Sequence, residues 1–81
     1  HTLIHQFHDH HRDRLAQVME AAREKAVSAY DVLPVLFKRP LDLHQTTFAL
    51  GEAVAHLHRL WHAGQLQRER DAQGIWRFAP T

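Results

Sequence analysis

The sequence predicts a mainly α-helical chain that ends in a small β-hairpin, and three observations carry that expectation. Apolar residues return every three or four positions over residues 3–26 and again over 43–63, the period of a helix with one buried side. A KRPLD break at 38–42 separates helical runs, and two short runs flank a DAQG turn at 71–74, the pattern of a hairpin closed by glycine.

Taken in order, Ile4, Phe7, Leu15, Val18, Met19, Ala22 and Ala26 mark one stripe of a long first helix over 3–26. SAYD at 28–31 has the S-x-x-[DE] form that opens helices, because the hydroxyl and the carboxylate each satisfy an orphan backbone N–H. A second helix is therefore expected over 29–38, with Pro34 removing one backbone bond and forcing a kink or a late start. Pro40 pushes Arg39 out of helical geometry and ends it. The third helix is expected over 43–63 with Gly64 as its C-cap. Strands follow at 65–70 and 75–79. Helix, helix, turn, helix, hairpin is the order of a winged helix-turn-helix. The expected layout is one unit over 1–81, with the long helix at 1–26, the helix-turn-helix at 27–64 and the wing hairpin at 65–79.

Composition narrows the function. The chain has 81 residues, 10 Lys+Arg against 9 Asp+Glu, nine histidines and a formal net charge of +1. That is not the strongly basic profile of a nucleic-acid binder. Cysteine is absent, which excludes disulfides, thiolate metal sites and thiol nucleophiles. No apolar run reaches the roughly 18 residues of a membrane span, and the first residues lack the layout of a signal peptide. A cytoplasmic chain with no membrane partner is the expectation. The start at His1 leads us to expect a piece of a longer polypeptide. No phosphate-binding glycine loop, serine elbow or paired buried carboxylates are visible, so no catalytic residue is expected and the chain by itself is not expected to be an enzyme.

The third helix decides between partners. At about 100° per residue, Leu43, Thr47, Leu50, Ala53, Val54, Leu57 and Trp61 fall on one side, expected to face the core. Phe48, Glu52, Ala55, Arg59 and His62 fall opposite, with Gly51 at the edge. Base readout needs donors at the front of this helix. The available ones are Gln45 and Thr46, with Arg59 late, and Glu52 would repel phosphate. An aromatic ring among small residues instead makes a platform that packs on protein, so Phe48, Glu52, Ala55 and Arg59 are the candidate domain interface. The plainer readings are that Phe48 is covered within the chain and that Glu52 is a solvated charge. The alternative function is a DNA-binding regulator, with Gln45, Thr46, Arg68, Arg70 and Arg77 as the contacts. Trp76 and Phe78 alternate as a strand face folded onto the helices, which predicts that both are core.

His5, His8, His10 and His11 look metal-rich, but zinc needs three or four convergent ligands and one helix face rarely supplies more than two. No metal site is expected on them or on His56, His58 and His62.

AYDVLPVLF at 29–37, KRPL at 38–41, FALGEAVAHL at 48–57, Gly64 and WRF at 76–78 together resemble the C-terminal winged-helix domain of metallo-β-lactamase-fold hydrolases. HRDR at 11–14 is similar to the start of that family's long helix. The resemblance implies a non-catalytic accessory domain that packs on an upstream zinc hydrolase domain near its active site. The metal ligands would lie in that upstream part, so no cofactor is implied in this chain and zinc is expected upstream.

Overall fold

The computed structural model describes residues 2–81, with side chains from Arg12 onward. Three helices, α1 (Thr2–Glu24), α2 (Leu33–Leu36) and α3 (Leu43–His62), precede an antiparallel hairpin of β1 (Leu66–Arg70) and β2 (Trp76–Pro80). This is the predicted class and element order. The histidines from His5 to His11, and the stripe positions Ile4 and Phe7, lie outside the residues whose side chains are described.

α1 ends at Glu24 rather than at residue 26, because a sheet takes over. The Val27 N–H donates to the Phe78 carbonyl at 2.9 Å, and the Phe78 N–H donates back at 2.8 Å, so Val27 makes an isolated bridge with β2. Ala26, expected on the buried stripe, is exposed. Val18 and Ala22 are buried as expected, with Leu15 and Met19 packed against them.

The second helix shrinks to one turn. Ser28 and Asp31 do form the reciprocal pair, Ser28 N–H to the Asp31 carboxylate at 3.0 Å and Asp31 N–H to Ser28 Oγ at 3.2 Å. It opens a turn over 29–32 instead of a continuous helix. Pro34 explains the late start: it sits in the first two positions of α2, where a missing N–H costs nothing.

α3 is held at both ends. Asp42 caps its N-terminus, accepting from the Gln45 N–H at 2.7 Å while Gln45 Oε1 accepts from the Asp42 N–H at 3.1 Å, a capping box. At the other end Gly64 has φ of 79°, the Gly64 N–H donates to the Trp61 carbonyl and the Gln65 N–H to the Leu60 carbonyl, each at 3.0 Å. Those two bonds form a Schellman motif.

The phase of α3 differs from the expected one. Its buried residues are Ala49, Ala53, His56, Leu57 and Leu60, a side turned by roughly 85° from the predicted core side at about 100° per residue. Ala53 and Leu57 are shared by both. Leu43 is 86% exposed, Val54 and Thr47 are exposed, and Leu50 and Trp61 are half-buried. The reason lies in the shared core. Ala49 and Ala53 join Val18 and Ala22 of α1 in a single cluster with Val32, Leu57, Leu66 and Phe78, where small side chains leave few voids. His56 enters this interior by donating Nδ1–H to the Glu52 carbonyl at 2.7 Å.

Replacing Gly64 with Ala forces a Cβ onto a left-handed backbone at φ 79°, so urea unfolding of G64A is expected to lose about 1–2 kcal/mol. Open space surrounds the site, so a wild-type midpoint would contradict the backbone account itself.

Candidate domain interface

The outer side of α3 meets the hairpin in a groove. Val54 and His58 come from α3, Ile75, Trp76 and Phe78 from the hairpin, and Tyr30 from the turn before α2. The groove encloses about 700 Å³. Tyr30 is 69% exposed and Trp76 is 41% exposed. Strand register explains what points inward: Leu66, Arg68 and Arg70 oppose Pro80, Phe78 and Trp76, so one face of the hairpin carries these six. Phe78 reaches the core as predicted. Trp76 does not; it stays at the rim because Arg68 stands between it and Trp61, with its guanidinium carbon 3.7 Å from the Trp61 ring centre and 4.4 Å from that of Trp76.

The three hairpin arginines therefore have different fates. Arg68 is stacked between indoles, and Arg70 lies 5.3 Å from the Trp76 ring centre. Arg77, on the other face, donates Nε–H to Asp71 at 2.8 Å and a terminal N–H to Asp31 at 2.9 Å. It ties the turn before α2 to the hairpin loop. Asp71 also closes that loop, accepting the Gln73 and Ile75 N–H groups at 2.8 and 3.0 Å. The Ser28 backbone N–H, more than the nearby Arg77 charge, holds the Asp31 carboxyl below its ordinary pKa. For Asp71 the Arg77 hydrogen bond is the largest cause of a lowered value.

The remaining candidates spread along α3. Phe48 is 71% exposed; no other part of the described chain covers it. Ala55 and Arg59 are exposed and Glu52 is half-buried. Of the alternative nucleic-acid contacts, Gln45 spends its carbonyl oxygen on the capping box. Thr46 is half-buried in a separate recess with Phe37, Arg39 and Leu41. Arg77 already holds two carboxylates. Sequence reasoning missed Tyr30, Val54 and Ile75 as surface residues. The phase of α3 hid Val54, and no local signal places Tyr30 beside the hairpin.

His58 lies 5.7 Å from the Trp61 ring, 6.1 Å from Phe78 and 6.3 Å from His62, centre to centre. Among the described residues no three His, Asp or Glu side chains are placed to hold a metal ion, so these residues do not fit a zinc site. Among them, too, no helix is long and apolar enough to cross a membrane.

This architecture has known relatives. The sequence profile of the metallo-beta-lactamase-like C-terminal domain family matches residues 15–81, and the chain belongs to that family. A solved structure, a beta-lactamase domain protein from Burkholderia ambifaria, is similar over 99% of this chain at 49% identity and a TM-score of 0.95. The chain spans 24% of the length of that protein's chain. No match is found among curated proteins.

The Arg77 bridges set a pH dependence. Because Asp31 and Asp71 have lowered pKa values in the folded chain, their contribution is complete above the unfolded value near 3.8 and is lost as pH falls through the lower folded values. The stability gap between wild type and R77Q is therefore expected to hold from neutral pH to about pH 5 and to narrow below about pH 4. Chemical unfolding of both proteins across that range checks it; a gap independent of pH would contradict the bridges.

Proposed function

We propose that this chain is a non-catalytic winged-helix accessory domain that docks on an upstream zinc hydrolase domain and helps shape the surroundings of its active site. The observation that carries the reading is the apolar surface left outside: Leu43, Phe48, Val54, Tyr30, Ile75 and Trp76 are all exposed large hydrophobics. Of these, Tyr30, Val54, Ile75 and Trp76 line one groove, and monomeric soluble proteins rarely leave large contiguous apolar patches uncovered. Membership in a family of C-terminal domains supports a domain that precedes it, as does the fourfold greater length of the similar chain. Zinc and its hydrolytic chemistry belong, in this reading, to that preceding domain.

The competing reading, a regulator that reads DNA with α3 and the wing, is the weaker one on charge. The net charge is +1, Arg77 is internally paired, and most nucleic-acid affinity comes from phosphate contacts.

Docking is tested with the preceding domain produced separately. Phe48→Asp removes apolar burial of about 1–3 kcal/mol, so calorimetry is expected to show affinity weakened about fivefold or more. A double reversal, Glu52→Lys with Arg59→Glu, is expected to weaken it as well. Circular dichroism should show both variants folded, since these side chains lie outside the core. Unchanged affinity in both overturns the proposal.

A further inference from the structure

We propose that the groove between α3 and the hairpin receives a carboxylate-bearing, apolar segment of the upstream domain, and that the Arg68 guanidinium is the group that meets the carboxylate. This rests on the docking reading above and gives it a seat and a chemistry.

The groove brings two arginines together, and only one is electrically satisfied. Arg77 holds Asp71 and Asp31 at 2.8 and 2.9 Å, so its single charge is already matched by two carboxylates. Arg68 has no carboxylate within ion-pairing distance among the described residues. It is fixed instead by its faces, 3.7 Å from the Trp61 ring centre and 4.4 Å from Trp76. Stacking occupies the faces of a guanidinium and leaves the N–H groups on its edge free to bind a planar anion in bidentate fashion. It also fixes the side chain beforehand, so little rotamer freedom is left to lose on binding. Arg70, 5.3 Å from the same Trp76 ring, adds a second positive charge. Arg68 and Arg70 are the cations at this seat that no carboxylate pairs with among the described residues, and the complement of such an arginine edge is a carboxylate.

The walls select the rest of the occupant. Val54, Ile75 and Phe78 are apolar and Tyr30 and Trp76 are amphipathic, which suits an aliphatic or aromatic side chain beside the acid. A nucleic-acid strand would find two cations and no track of phosphate contacts, and its affinity grows with the number of phosphates neutralised. The similar solved chain has about three-quarters of its length outside the region matched here, which supplies a segment on the same polypeptide.

The test is hydroxyl-radical footprinting of Tyr30 and Trp76 in the full-length polypeptide, compared with chain 1–81 alone. We expect both residues to be labelled at least fivefold more slowly in the full-length protein. Arg68→Glu should restore the fast rate, and Arg68→Lys, which keeps the charge, should retain part of the protection. Circular dichroism of R68E in chain 1–81 guards against misfolding, and Arg68→Gln gives a milder variant with the same expected direction. If Phe48 is protected in the full-length protein while Tyr30 and Trp76 are not, this inference falls and the docking reading stands. If none of the three is protected, both fall. Protection unchanged in R68E overturns the role of Arg68. Protection that appears only on adding a single-stranded 20-mer oligonucleotide, or that rises with the concentration of chain 1–81 alone, overturns the intramolecular occupant.

Discussion

The side of α3 that enters the core fixes everything else. Ala49 and Ala53 lie in the same buried cluster as Val18 and Ala22, and alanines at these positions fill a tightly packed interior with few voids. A phase that buried Leu43 and Val54 instead would enclose more apolar area per residue but would turn Ala49 out of that interior. Close packing also draws Leu57 to the centre, where it is fully buried beside Val32 and Leu66. Losing such a side chain to a cavity costs about 2–5 kcal/mol, so the phase is strongly held.

The same choice leaves an apolar edge outside. With the alanines inside, Val54 and Leu43 turn outward, while Phe48 on another side is exposed in either phase. The hairpin then closes against this edge rather than covering it, because Arg68 wedges between Trp61 and Trp76 and keeps the second indole at the rim. At the end of the same groove Arg77 joins the turn before α2 to the hairpin loop through Asp31 and Asp71. Ion pairs clamp one end of the groove while its apolar walls stay open, and this arrangement underlies the docking we propose.

Local signals made most of the fold legible. The helical period, Gly64 and the DAQG loop placed α3 and the hairpin to within a residue or so, because caps and turns act through neighbouring atoms. Two things escaped. α2 is a single turn because the Ser28–Asp31 pair and Pro34 act in succession, and either alone is compatible with a longer helix. The phase of α3 is not legible, because the sizes of Leu43, Thr47 and Val54 argue for burial while the benefit of Ala49 and Ala53 appears only against the rest of the core. At the site, Phe48 was found because its side is exposed in both phases. Trp76 was assigned to the core because strand alternation says which face a residue shares, not whether an arginine comes between it and the interior. The carboxylate pair around Arg77 joins positions 31, 71 and 77, a separation that no local rule spans.

The phase of α3 is also the claim most open to direct attack. The sequence contains no cysteine, so single cysteines placed at 49, 53, 54 and 55 in chain 1–81 report burial without background. The account predicts slow reaction with a thiol reagent at 49 and 53 and rates near those of an unfolded peptide at 54 and 55. Slow reaction at 54 with fast reaction at 49 would contradict it, and with it the apolar edge on which the docking surface is built.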